Sequence, residues 1–467
     1  LIESERNLRN QIFLADAKIY LKKIHEVVII QVMAFDQWTT VPLIGMKKIG
    51  NEWAHRFGII ENNFLGTGQT ISISHYKNLL TEGNKFNYHN SSIGKYRLGY
   101  QLEISDNQNG YYIESILHKP LISKYNKHGF KIHYSTSKKS LLYYFDGNLL
   151  ENSTQEIFNL HKSNALIEFN NIYENYLILN YIRSYGFDKK VDIQFFTEFF
   201  NRDHNMKNYI FLNNQYEDYI PHDLSISNKN DAIIGLKIKI YKNNYFQTKN
   251  LNNMKWTENL NNISSLSVTI GKNMFNWGAI NNHLYIGWSA TYSNYFNDKH
   301  FIFANSNIQY FINPKGNKED GDFNANLNYQ YRFTPLINGK ISTSWKNYFK
   351  TAHYKQLLLG ESTGLLGYPN FYYSGNALLL IKSEINIITD LEIFTVIPAI
   401  SIFTTTGNTF TNYKHIKLDK LHSSIGFGFR FGLSRSAGKI VNHINFSWPL
   451  HDLLKGPSIS IYSKNSL

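Results

Sequence analysis

The sequence predicts an all-β chain closed into a transmembrane antiparallel β-barrel. Three observations carry that reading: apolar residues recur with period two, the alternating stretches are long, and their second face is polar. In residues 425–433, Ile425, Phe427, Phe429, Phe431 and Leu433 share one face, while Gly426, Gly428, Arg430 and Gly432 share the other. That is the period of a strand. Residues 234–240 repeat it, with Ile234, Leu236, Ile238 and Ile240 set against Gly235, Lys237 and Lys239. Shorter copies stand at 71–74, 98–104, 130–135, 266–271 and 327–333.

A soluble sandwich alternates too, with its apolar face inward. Length favours the membrane, because a tilted spanning strand needs about 9–11 residues. So does the Lys, Arg, Gln and Gly content of the second face, which suits a watery lumen. Aromatics gather near strand ends, as in Tyr329-Tyr331-Phe333 and Trp345-Tyr348-Phe349, like the girdles of such barrels. Short turns are expected to alternate with long Asn-rich loops at 201–231 and 312–324.

Residues 1–35 read differently. A charged segment around Leu8 has helical character, and two apolar, β-branched segments follow it. One helix and two strands are too few to fold alone. They are expected to form the C-terminal part of a small α+β module outside the membrane, with an open edge on the second strand. Leu1 is not Met, so the chain looks like an excerpt of a longer precursor. Residues 36–467 are assigned to the barrel. Within it, residues 357–376 carry Gly360, Gly364, Gly367 and Gly375 among leucines and tyrosines. A loop of that composition is expected to fold back into an interior.

Composition narrows the function. The 467 residues include no Cys, which removes disulfides and Cys-ligated metal sites. The 33 Tyr, 32 Phe and 7 Trp suit water–lipid boundaries. The net charge of +13 is scattered rather than striped and joins no nucleic-acid motif, so no nucleic-acid partner is expected. No apolar run is long enough for a membrane helix.

The order of several motifs resembles the surface-antigen superfamily of outer-membrane barrels, the BamA/TamA type. The branch is the one with a single polypeptide-transport-associated (POTRA) module before the barrel, related to patatin-barrel proteins. Residues 35–42, FDQWTTVP, resemble the lead-in to the first strand, and 57–75 the early hairpin with Asn63 and the turn Leu65–Gly68. Residues 253–261 resemble the mid-barrel signature around Trp256, Thr257 and Glu258. LLLGESTGLLGYP resembles the sixth extracellular loop. The resemblance implies about 16 strands, a POTRA-like module in the periplasm, and a bacterial outer-membrane location. It also implies a loop tip with an Arg-Gly-aromatic motif paired to carboxylates on the inner wall.

Here that motif is degenerate. The tip reads Gly364, Leu365, Leu366, Gly367, Tyr368, so Leu366 stands at the Arg position. Thr405 stands at one wall carboxylate, and Glu384 matches the other. Joint loss of both ends fits the cost of an orphaned buried charge. Leu366 is then expected to pack on apolar wall residues.

No Gly-x-Ser-x-Gly elbow exists, and residues 432–439 depart from phosphate-loop spacing. Glu319, Asp320 and Asp322 read as hairpin polarity more simply than as a cation site. No catalytic residue, cofactor, metal site or small-molecule substrate is expected, and the chain is read as a non-enzyme. The partners implied are the lipid bilayer and an unfolded or passenger polypeptide. The function implied is insertion or export of polypeptide. The alternatives are an anchor or export pore for an N-terminal passenger, such as a patatin-like hydrolase, and a passive pore.

Overall fold

The computed structural model describes residues 2–49, 52–77, 81–144, 165–204, 208–212, 215–218, 228–351, 355–435, 440–451, 454 and 456–465. Among these, twenty wall strands pair antiparallel with their chain neighbours and close into one barrel. Closure gives every wall strand a neighbour on each side.

Twenty strands replace the expectation of about 16. The figure of about 16 is implied by the resemblance and not by the residues. His128–Tyr144, Ala165–Tyr185 and Lys189–His204 contain 17, 21 and 16 residues. Each is longer than the roughly 9–11 residues that a tilted spanning strand needs. Each is one whole wall strand. The small strands Asn208–Leu212 and Gln215–Asp218 extend this region as a hairpin beside Ala165–Tyr185.

The alternation sorts the side chains. Ile425, Phe427 and Phe429 are exposed on the outer wall, whereas Ser424 and Arg430 are buried inside. Ile234, Leu236, Ile238 and Ile240 also face outward. The expected long loop at 312–324 is corrected: strand His300–Ile312 and strand Lys318–Arg332 leave only the tight turn 313–317. Of the loop 201–231, residues 205–207, 213–214 and 219–227 lie outside the described residues.

The two barrel mouths differ. The N-terminal segment shares one mouth with brief turns such as 65–68, 94–97, 186–188 and 297–299. The opposite mouth carries longer connections, including 274–283, 350–376 and 411–421. We call these the short-turn and long-loop mouths.

Helix Ile2–Arg9 has Glu3 and Glu5 in its first turn and Arg6 and Arg9 in its last, which complements the helix dipole. It docks at the short-turn mouth. Glu3 accepts hydrogen bonds from Ser123 Oγ and the Lys124 N–H, both at 3.2 Å. The Arg6 guanidinium lies 3.7 Å from the centre of the Tyr245 ring. A hairpin follows, Leu14–Ile24 paired with Val27–Asp36. Its second strand is exposed along its whole length.

Candidate functional site

Among the described residues, two inward segments each anchor an apolar cluster in the lumen. At the long-loop mouth the segment is 356–376. Its base is clamped by Gln356, whose side chain exchanges two 2.9 Å hydrogen bonds with the Tyr144 backbone. Leu357–Leu359 then pairs with Tyr373–Gly375 as a miniature sheet. Between them the chain makes a single 3-10 turn, Glu361–Thr363. Leu357, Leu359, Leu365, Tyr368, Tyr372 and Tyr373 pack together against Leu378 and Leu380 of the wall.

The glycines at the tip are required by shape. Gly364 has φ 113°, and a Cβ there would collide with the Lys382 Nζ. Gly367 has φ 87° and lies against the backbone of Trp448 and Pro449. Both conformations favour glycine. Tyr368 is fully buried, and its hydroxyl donates to the Ser423 carbonyl at 3.0 Å.

Leu366 and Thr405 meet. The Leu366 N–H donates to Thr405 Oγ1 at 3.1 Å, and Thr405 Oγ1 lies 2.7 Å from Ser424 Oγ. The packing role expected of Leu366 falls instead to Leu365, which is fully buried while Leu366 is half-buried. The physical reason is that the backbone of Leu366 turns its N–H, rather than its side chain, to the wall.

Glu384 sits deeper. In the register, Lys382 opposes Thr405 and Glu384 opposes Phe403. Glu384 Oε1 accepts from Ser401 Oγ at 2.6 Å and from Arg430 Nη2 at 3.0 Å. Arg430 Nη1 also donates to Asn445 Oδ1 at 2.7 Å. The wall carboxylate thus has a cation from the wall itself. Gly364, Leu366, Gly367, Tyr368 and Thr405 come together, and Glu384 belongs to a separate pair.

Sequence reasoning missed Glu361. Its side chain is buried, and Oε2 accepts the Gly367 N–H at 2.5 Å and Ser458 Oγ at 3.2 Å. Its Oε1 has no hydrogen-bond partner among the described residues. Ser458 begins the last wall strand, Ser458–Asn465, so one carboxylate ties the loop tip to that strand.

Among the described residues, that strand closes the barrel against the first wall strand, Thr40–Ile49, through three residue pairs: Ile459 with Lys48, Ser460 with Lys47, and Ile461 with Met46. The neighbouring seams are longer, with ten pairs between Thr40–Ile49 and Glu52–Phe64 and eight between Ile440–Pro449 and Ser458–Asn465.

The second inward segment is the turn 250–256 at the short-turn mouth. Glu258 is buried and accepts the backbone N–H groups of Leu251, Asn252 and Asn253 at 2.8, 3.0 and 3.2 Å. Three converging N–H groups form an anion nest, and the chain supplies its own anion. Trp256 Nε1 donates to the Leu433 carbonyl at 3.2 Å. Met254 packs with Ile388, Ile397, Ala399 and Val441.

In the acidic run at 318–322, each carboxylate has partners within the chain. Lys229 Nζ reaches Asp320 at 2.9 Å, Gln309 reaches Asp322 at 2.7 Å, and Asn313 reaches Glu319 at 2.6 Å. Of the run at 432–439, residues 436–439 lie outside the described residues.

No family model matches the chain, and no curated protein matches it. Among solved structures, BamA from Haemophilus ducreyi lacking POTRA domains 1-3 aligns over 99% of this chain and 77% of its own. Its identity is 11% and its TM-score 0.38. CdiB from Escherichia coli aligns over 99% and 69%, at 10% identity and TM-score 0.41. OccK2 (OpdF) from Pseudomonas aeruginosa aligns over 97% and 99%, at 9% identity and TM-score 0.33. At such scores the closed barrel stands on its own strand pairing.

Proposed function

We propose that this chain is an outer-membrane barrel that inserts or exports polypeptide, opening at the seam between its first and last wall strands. The observation that carries the reading is the seam of three residue pairs in a barrel whose adjoining seams have eight and ten. Fewer ladder hydrogen bonds make this the joint that parts at least cost, and an opened pair of edges templates an incoming strand. The outward band of Ile, Leu and Phe supports placement in lipid. On the usual asymmetry of such barrels the short-turn mouth faces the periplasm. The exposed hairpin Leu14–Ile24/Val27–Asp36 then lies on that side, as part of a POTRA-like module whose free edge can pair with polypeptide.

The test is a reversible lock. Met46→Cys with Ile461→Cys places thiols on opposite sides of the seam, in a chain with no other cysteine. The oxidised protein, reconstituted in vesicles, is expected to stop assisting insertion of an unfolded outer-membrane polypeptide, and reduction is expected to restore it. A matched lock at Phe427→Cys with Phe446→Cys, within an ordinary strand pair, leaves activity intact. Undiminished activity of the oxidised seam lock would falsify the proposal. Steady conductance across planar bilayers, unaffected by the lock, would favour a passive pore.

A further inference from the structure

The outer wall opposite the seam is not uniformly bulky. Between the strands Lys229–Lys249 and Ile337–Phe349 it carries a groove of about 940 Å³. The floor is made of small outward residues that neighbour one another across the ladder. Ala290 opposes Ser306, Ser306 opposes Ala325, and Ala304 lies one step along the same face. Leu266, Tyr292, Leu327 and Trp345 stand around this floor and are exposed. A hollow in a hydrocarbon-facing wall forfeits dispersion contact unless something fills it.

The groove has a charged end. The row that contains Tyr292 and Ala304 continues through Ser264 to Lys242, which directly opposes Lys189. Both lysines line the groove at its short-turn side and are exposed. The adjacent carboxylate, Asp188, is engaged by Lys124 at 3.3 Å. Like charges directly opposite in an antiparallel pair repel, and an anion seated between them reverses that penalty.

We propose that this groove binds an anionic glycerophospholipid. Its acyl chains lie over the floor of Ala290, Ala304, Ser306 and Ala325, and its phosphate sits between Lys189 and Lys242. Charge complementarity and an apolar hollow in one continuous surface select a lipid rather than a soluble anion, which would leave the hollow unfilled. Basic sites beside membrane-embedded hollows recognise anionic headgroups in this way. The proposal rests on the membrane placement above and is independent of seam opening.

Because the chain lacks cysteine, single labels are clean. A fluorophore at Leu327→Cys reports the groove, and one at Ile400→Cys reports an outward position elsewhere. Each protein is placed in phosphatidylcholine vesicles containing a minority of brominated phosphatidylglycerol or, separately, brominated phosphatidylcholine. The groove label is expected to see the brominated anionic lipid enriched about tenfold, the scale set by two lysines beside an anionic headgroup. The Ile400 label shows no preference. Lys189→Gln with Lys242→Gln abolishes the preference, and Ala290→Leu with Ala304→Leu reduces it. Equal quenching by both lipids in the groove overturns the proposal and leaves the membrane placement standing. A preference that survives both double variants also overturns it. Absence of quenching at both labels, with either lipid, overturns the membrane placement itself.

Discussion

Two segments enter the lumen, one from each mouth, and different physics holds each in place. The turn 250–256 is polar at its centre: one buried carboxylate, Glu258, gathers three backbone N–H groups. Asn250 and Lys255 take left-handed backbone conformations, with φ 58° and 61°, to form it. Such conformations persist only where the surroundings impose them. The loop 356–376 has its polar ties at base and tip, but its centre is apolar, with three buried tyrosines and three buried leucines around glycine corners. Its carboxylate, Glu361, uses one oxygen and leaves the other without a partner among the described residues.

The contrast assigns unlike roles to the two mouths. A nest filled by its own anion is satisfied and has one stable arrangement. A loop whose carboxylate uses one of its two oxygens has a polar tie that is only half used. Yet both brace the same sector of wall. The turn reaches Ile388, Ile397, Leu433 and Val441, and the loop reaches Leu380, Thr405, Ser423 and Ser458. If the seam opens as proposed, the first wall strand Thr40–Ile49 is the side expected to move, with the braced sector as the fixed frame.

The largest effect that would sharpen this contrast is expected at the turn. Glu258→Ala leaves three N–H groups without their charged acceptor. The loss is expected to be about 4 kcal/mol, from the cost of orphaning buried donors. Urea titration in detergent micelles, followed by loss of the folded gel mobility, measures it. A loss below about 1 kcal/mol would mean that packing by Met254 and Trp256 holds the turn and that the contrast is misplaced. Next comes the wall between the two segments. Arg430→Met leaves the half-buried Glu384 without its cation and is expected to cost about 2 kcal/mol. Adding Glu384→Gln to that variant should recover most of the loss, because the orphaned charge is then gone.

Much of this was legible in the sequence, and the gaps have physical causes. The strict alternation at 425–433 places Arg430 inside without any structure. Naming Glu384 as its partner needs the register of three strands, which periodicity does not contain. The strand number failed for a different reason: about 16 was implied by the resemblance, while the alternating stretches before residue 350 already offered more candidates than that. Gly364 and Gly367 stand at corners of the loop with positive φ. The adjacent leucines did not show which of them packs, since an irregular loop has no period to decide between Leu365 and Leu366. Glu361 left no signal. A carboxylate in a Gly-rich loop reads as solvated, and its burial depends on Ser458, far along the chain.

A smaller effect separates loop from turn. Glu361→Ala removes the acceptor of the Gly367 N–H and of Ser458 Oγ, at an expected cost of about 1–2 kcal/mol. The more telling readout is local. Proteolysis within 357–376 is expected to quicken in Glu361→Ala. Trp256→Phe, which loses a hydrogen bond of about 1 kcal/mol at the other mouth, is expected to leave it unchanged. If both variants expose the loop equally, the two segments form one cooperative unit and the contrast between them dissolves.

The smallest expected effect concerns the loop tip. Leu366 and Thr405 are already in contact through the Leu366 N–H. Lys382 opposes Thr405 in the register, and its ammonium lies beside Gly364. Leu366→Arg alone therefore brings a second cation towards Lys382, while Glu384 is already engaged by Arg430. That single change is expected to destabilise. Thr405→Asp alone adds a carboxylate near Lys382 and is expected to be close to neutral, since burial opposes the attraction. Together the new cation and carboxylate can pair where the N–H now meets the hydroxyl, and the cycle is expected to show favourable coupling of about 1 kcal/mol. The paired variant should also slow proteolysis of 357–376, making the loop behave more like the turn at the opposite mouth. If the two changes instead add within about 0.5 kcal/mol, these positions do not form a latent ion-pair site, and packing alone specifies the tip.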